Sequence, residues 1–203
     1  MKYVIIDYGI GNLRSIEKAF EYVGAEVEIS KEASVIDSAQ AIILPGVGAF
    51  RDAMMHFETL ERVVKDAVND GKPLLGICLG MQMLTTESEE GGLHRGLDIV
   101  PGKVIRFPIS QLKIPHMGWN SLSIRKDIPL FQHVRNHSFV YFVHSYYVTT
   151  DHKYQAAISD YGIEFPAVIT NEAGNVIGTQ FHPEKSGKIG LQMLKNFVEN
   201  YGY

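Results

Sequence analysis

The sequence predicts an α/β protein: a mostly parallel central sheet with helices on both faces and a small antiparallel addition. Three observations predict it. Short apolar runs alternate with amphipathic, helix-length stretches through the first half, as in sheets covered on both sides. Turn signals and closely spaced strands crowd the second half. The chain has 203 residues, 45% apolar and 21% charged, the size and composition of one globular domain with a sizeable core.

Met1–Asp7 opens as a strand, with Tyr3–Ile6 as its buried run. Leu13–Val23 has helical periodicity, and Glu26–Ile29 is a second strand. Ala41–Leu44 is a third strand, Leu60–Asp70 a helix, and Leu74–Ile77 a fourth strand. A further helix follows Gly80, over Met81-Gln82-Met83-Leu84. Right-handed crossovers between such strands bring their C-terminal ends, and the loops after them, to one edge. The second half offers strands at Val104–Phe107, Ser121–Ile124, Phe139–His144, Gln155–Ser159, Val168–Thr170 and Val176–Thr179, read as an antiparallel extension of the central sheet. Asn171-Glu172-Ala173-Gly174-Asn175 joins the last two as a turn, and Lys188–Glu199 closes the chain as a helix. There is no repeat, low-complexity tract or linker, so residues 1–203 are read as a single domain.

The formal net charge of −4 argues against nucleic-acid and anionic-membrane partners. One cysteine excludes an internal disulfide framework and favours a reducing compartment. The first residues are too short a run, and too soon charged, for a signal peptide, and no apolar stretch approaches membrane-spanning length. A cytoplasmic protein is expected.

The single cysteine stands in Gly76-Ile77-Cys78-Leu79-Gly80, between an apolar strand and a helix. Strand, glycine turn and helix make a nucleophile elbow, which lifts one side chain clear of the sheet. A helix start and a nearby imidazole would favour the thiolate. His182-Pro183-Glu184 supplies a base and its orienter: proline keeps His182 extended, and residues two apart then share a side. Pro45-Gly46-Val47-Gly48 directly follows the strand Ala41–Leu44. Gly46, Val47 and Gly48, with Leu79 just after the nucleophile, are the expected oxyanion donors. No metal-ligand spacing is present and no cofactor is expected. Gly9-Ile10-Gly11 is no dinucleotide fingerprint, because Arg14 stands where the third glycine belongs.

Gly76-Ile77-Cys78-Leu79-Gly80-Met81-Gln82, Pro45-Gly46-Val47-Gly48 and His182-Pro183-Glu184 resemble the motifs of the class I (triad) glutamine amidotransferases. Asp7-Tyr8-Gly9-Ile10-Gly11-Asn12-Leu13, Pro115-His116-Met117-Gly118-Trp119-Asn120 and His182-Pro183-Glu184-Lys185-Ser186 narrow the resemblance to glutaminase subunits of imidazole glycerol phosphate synthases. The resemblance runs from the first strand to the last helix. It implies a flavodoxin-like fold and hydrolysis of L-glutamine to glutamate and ammonia, with Cys78 as nucleophile, His182 as acid–base and Glu184 as orienter. It implies substrate contacts from Gln82, Glu90, Ser145 and Tyr146. It also implies a partner, a (β/α)₈-barrel cyclase subunit, met at or near Asn12, Trp119, Asn120 and Lys185 and using the ammonia in histidine biosynthesis. Trp119, the only tryptophan, is read as core or as interface anchor. His116 is read as structural, and His56, His94, His133, His137 and His152 as surface or packing residues.

Two other readings stand beside this one. A self-sufficient glutaminase or γ-glutamyl hydrolase could use the same scaffold, and the Pro-Gly-Val-Gly and Met-Gly-Trp-Asn segments argue against it. A catalytically silent regulatory subunit is the other, opposed by the complete Cys78, His182 and Glu184 set.

Overall fold

A computed structural model of the chain describes residues 2–108 and 112–202. Met1, placed by the sequence reading in the first strand, and Tyr203 lie outside the described residues. The elements of the first half are β1 (Lys2–Ile6), α1 (Leu13–Tyr22), β2 (Glu26–Ser30), α2 (Ala33–Ser38), β3 (Ala41–Leu44), α3 (Phe50–Phe57), α4 (Glu61–Asn69), β4 (Leu74–Ile77) and α5 (Leu79–Met83). Then follow β5 (Glu87–Ser88), β6 (His94–Arg95), β7 (Lys103–Arg106), β8 (His116–Ser121), β9 (Ser123–Ile124), β10 (Phe139–His144) and β11 (Tyr146–Thr149). β12 (Gln155–Asp160), β13 (Glu164–Thr170), β14 (Val176–Thr179) and α6 (Gly187–Tyr201) complete the chain.

The main sheet has eight strands in the order β2-β1-β3-β4-β14-β13-β12-β9. The first five run parallel. From β14 outward every pairing is antiparallel. Alternation along the strands divides the core. Tyr3 and Ile5 face α1 and α6, whereas Val4 and Ile6 face α2, α3 and α4. Four-residue strands such as Ala41-Ile42-Ile43-Leu44 are wholly buried, which is why they read as unbroken apolar runs. Helix α1 ends where expected because Gly24, at φ +90°, takes the left-handed turn after Val23.

Several features depart from the sequence reading. The antiparallel addition is only partly an extension of the central sheet. β12, β13 and β9 join it, but Phe139–His144 pairs with β8 in a two-stranded sheet. The strand from Lys103 lies in a four-stranded sheet, β11-β7-β5-β6. The expected strand Ser121–Ile124 is two strands, β8 and β9, with buried Leu122 where the chain passes between sheets. β8 escaped notice because its inward positions include the polar His116 and Asn120 instead of an apolar alternation. Helices α2 and α3 were also not legible; α2 buries only Ile36, too little to make a periodic signal. Among the described residues no helix is long and apolar enough to cross a membrane.

Candidate active site

Three neighbouring parallel strands end together and deliver the three motifs. β4 lies between β3 and β14, with Leu44 level with Gly76 and Ile77 level with Thr179. Just past those ends come Pro45–Gly48, Cys78 and the segment Gln180–Glu184. The chain separates Cys78 from His182 by about a hundred residues, and the sheet order removes that separation.

Cys78 has φ +55° and ψ −108°, a conformation costly for any residue with a side chain. Its N–H donates to the Thr179 carbonyl at 2.7 Å, which holds the turn against β14. The glycines around it are there for backbone contact. A Cβ on Gly46 would come 2.6 Å from the Gly80 nitrogen, and one on Gly80 would collide with the Leu44 carbonyl. Helix α5 starts at Leu79, earlier than expected, and spans five residues. It therefore offers the unpaired N–H groups of one turn rather than a long macrodipole.

His182 is extended (φ −98°, ψ 99°), as its proline requires. Glu184 reaches it differently from the expected two-residue alternation, because Pro183–Lys185 forms a 3-10 turn. The turn still sets the Glu184 Oε1 2.8 Å from the His182 Nδ1, with both side chains sealed from solvent (2% and 0% exposed). Ser186 secures the backbone: its Oγ donates to the His182 carbonyl at 2.7 Å and accepts from the Tyr141 N–H at 2.9 Å. Nε2 has no aligned hydrogen-bond partner among the described residues. Burial, the largest influence on the ring, opposes the imidazolium. Cys78 and Glu184 together outweigh it and raise the His182 pKa to about 9.

Cys78 and His182 open on a cavity of about 320 Å³, also lined by Val47, Gly48, Leu79, Gln82, Glu90, Val143, His144, Ser145 and Tyr146. Most of the residues singled out from the sequence thus share one wall. Gly46 does not line it and packs beneath, against Gly80 and Leu79. Gln82 is buried, and its Nε2 donates to the Tyr146 carbonyl at 3.0 Å and to Gln180 Oε1 at 3.1 Å. Glu90 accepts from the Phe50 N–H at 2.9 Å and so caps α3 from the cavity side. A larger cavity of about 580 Å³ lies near Asp7, Lys31 and His56. Among the described residues it holds no nucleophile paired with a base, so the smaller cavity is the candidate site. Among the described residues no group of three or more His, Cys, Asp or Glu side chains is placed to hold a metal ion.

The four residues expected near a partner divide. Trp119 is 56% exposed and rests edge-on against Tyr141, so it is not core. Met117 and Phe139 are exposed on the same two-stranded sheet. Lys185 is exposed, and Asn12 is half-buried at the start of α1. Asn120 binds inward: Nδ2 donates to the Asp160 carbonyl at 2.7 Å, and Oδ1 accepts from the Ser121 N–H at 2.8 Å.

The sequence reading missed His144 and Gln180. His144 Nδ1 lies 2.8 Å from the Tyr146 carbonyl, which can only accept, so Nδ1 carries the proton. The neutral ring's Nε2 is then an acceptor, and His116 Nδ1, 3.0 Å away, must donate to it. One carbonyl thereby fixes the tautomers of two imidazoles. His116 is stacked between Tyr161 and Phe142 (centroids 4.0 and 4.9 Å). Burial lowers its pKa to about 4. Burial likewise lowers His144 to about 3, helped by His116 and His182 and opposed by the Tyr146 carbonyl.

A pH dependence of stability follows. Unfolding frees both rings to titrate near 6.5, so their contribution is complete above that pH and is lost as pH falls toward 4 and 3. At pH 5 each ring is expected to cost about 2 kcal/mol relative to pH 7. His182 has the opposite sign, being raised, and returns less than about 1 kcal/mol over that range. Urea unfolding at pH 7 and pH 5 measures the net loss; equal stabilities would show that the rings are not buried neutral.

A family model described as glutamine amidotransferase class-I matches residues 4–201. The chain is 56% identical over 198 residues to a Methanosarcina acetivorans protein named imidazole glycerol phosphate synthase subunit HisH, covering 98% of each. It is 50% identical to the protein of that name from Archaeoglobus fulgidus, covering 96% of each. Among solved structures, a putative GMP synthase component from Thermoplasma acidophilum superposes with a TM-score of 0.75 at 18% identity, over 98% of this chain and 92% of that one. PurLQS from Thermotoga maritima gives 0.73 at 18% identity, over 98% and 97%. At that identity the structural likeness speaks to the fold.

Proposed function

Since the chain belongs to the class-I glutamine amidotransferase family, we propose that it is the glutaminase subunit of an imidazole glycerol phosphate synthase, acting in histidine biosynthesis. The observation that carries the reading is the buried His182–Glu184 pair at 2.8 Å, whose His182 opens with Cys78 on one cavity. The Cys78 thiolate attacks the side-chain amide carbon of glutamine. The carbonyl oxygen takes up the negative charge against N–H donors from Val47, Gly48 and Leu79. His182 gives its Nε2 proton to the leaving nitrogen, the C–N bond breaks and ammonia departs. A thioester remains on Cys78. His182, now neutral, takes a proton from water, whose oxygen attacks the thioester carbon; the C–S bond breaks, the sulfur leaves as thiolate beside the protonated His182, and glutamate is released. Glu184 holds Nδ1–H throughout, which fixes the tautomer. Glu90 and Ser145 hold the α-amino and α-carboxylate groups of the substrate, and Gln82 and Tyr146 are further substrate contacts.

The ammonia goes to a (β/α)₈-barrel cyclase partner. That partner uses it on a ribonucleotide intermediate to form imidazole glycerol phosphate and an aminoimidazole carboxamide ribonucleotide. The exposed Met117, Trp119 and Phe139, with Lys185 next to the catalytic residues in sequence, support a docking face on β8 and β10. The chain works as one domain, since strands from both its ends share the main sheet, and its single cysteine supports a reducing, cytoplasmic setting.

The test is steady-state ammonia release from glutamine by the chain alone and with the cyclase partner and its ligand. Little turnover alone and a rise of at least about tenfold in the complex are expected, because docking sets the Pro45–Gly48 donors. Equal rates would remove the gating, and no release in either state would remove the assignment. Trp119→Ala should weaken the complex by about tenfold or more, read by titration.

A further inference from the structure

The mechanism above leaves Gln180 without a part, although it is the buried polar residue next to the nucleophile. It is 0% exposed, its own N–H is held by the Ala167 carbonyl at 2.9 Å, and its Nε2 lies 3.7 Å from Cys78 Sγ. Which end of a side-chain amide faces which neighbour is normally ambiguous. Here the surroundings decide it. The Tyr146 carbonyl accepts only, so the Gln82 atom facing it is the nitrogen. The second hydrogen of that nitrogen points to Gln180, so the Gln180 atom there is the oxygen. The remaining end of Gln180, turned to the sulfur, is therefore its N–H₂ donor. The Val143 carbonyl, 3.9 Å from Sγ, can receive a thiol proton but repels a thiolate.

We propose that Gln180 is a further catalytic residue, a hydrogen-bond donor that stabilises the Cys78 thiolate, with Gln82 holding it in that orientation. This rests on the reading of Cys78 as the nucleophile. The nucleophile and the cavity wall then form one hydrogen-bonded unit: Tyr146 carbonyl, Gln82, Gln180, Sγ. In the thiolate state Gln180 gives the sulfur a second donor beside the His182 ring, held in place from behind by Gln82. The ionisable groups around the sulfur are His182 with Glu184 behind it, Tyr8 across the sheet edge, and His144 and Glu90 on the cavity wall.

The experiment is the rate of Cys78 alkylation by iodoacetamide at pH 7, a reaction in which sulfur bonds to carbon and iodide leaves, measured on the full chain. Gln180→Met keeps the volume and removes the donor. Gln180→Glu keeps an acceptor for Gln82 but turns a carboxylate oxygen to the sulfur. Gln180→Met is expected to be about tenfold slower than wild type, and Gln180→Glu at least about a hundredfold slower. A purely structural role predicts the reverse order, with Gln180→Glu rescued by its bond to Gln82, and that order overturns the proposal. Should the buried carboxylate prevent folding, a folded Gln180→Met, checked by its thermal transition, that alkylates at the wild-type rate overturns it alone. Glutamine turnover in the complex should show the same loss in kcat with KM unchanged. Alkylation needs neither glutamine nor partner, so failure of the functional assignment would leave this comparison readable.

Discussion

Cys78→Ala or Cys78→Ser is expected to abolish glutamine-dependent synthesis by the complex while synthesis from added ammonia continues at nearly the wild-type rate. The loss in glutamine turnover should be on the order of 10⁴-fold or more, as for nucleophiles that work as a unit with their base. Nothing else lining the cavity can take over. Ser145 lies between β10 and β11, is not at a strand-to-helix elbow, and is tied into the sheet by its carbonyl, which accepts from the Phe107 N–H at 3.1 Å. Serine is the closer replacement in shape, so it tests chemistry with the least disturbance to a backbone already at φ +55°. Parallel assays with glutamine and with ammonium salts make the measurement. If both activities fell together, the substitution would have broken assembly and the assignment of Cys78 as nucleophile would lose its support.

His182→Ala should lower glutamine turnover by about 10²- to 10⁴-fold, the usual weight of a positioned acid–base group. It should also destabilise the fold. Glu184 is fully buried and would be left as an unpaired carboxylate, a change that typically costs about 3–5 kcal/mol. Glu184→Gln should do less on both counts, since a neutral amide oxygen can still accept from Nδ1–H and the 3-10 turn keeps the geometry. The two substitutions also differ in their effect on pH dependence. His182 is raised, so its contribution to stability is complete below about 6.5 and is lost as pH climbs through about 9. Glu184→Gln should weaken that alkaline loss, because one of the two groups favouring the imidazolium is gone. Turnover and urea unfolding between about pH 6 and pH 10 provide the check. An unchanged turnover in His182→Ala would remove the acid–base role.

Much of the fold and the catalytic motifs was legible because local sterics and periodicity write them directly. The four-residue runs at 41–44 and 74–77 are strands buried on both faces, too short for a helix and bounded by proline and glycine turns. Gly76 and Gly80 flank Cys78 because backbone meets backbone there. Proline at 183 fixes its neighbour's conformation whatever the rest of the chain does. The small sheets were not legible in the same way. β8 and β10 are held together by register, His116 with His144 and Tyr141 with Trp119, and one of them carries polar side chains inward.

By itself the sequence determined the buried strands of the first half, the elbow at Cys78 and the pairing of His182 with Glu184 (though not the 3-10 turn that makes that pairing), since each depends on residues within a few positions of one another. Tertiary structure alone decided that Trp119 stands outward, that His144 and His116 share one proton pattern across 28 residues, and that Gln180 reaches the sulfur from 102 residues away. The reason is physical: a dihedral preference acts on the neighbouring bond, whereas a buried donor finds its acceptor only after the order of the strands has brought the two together.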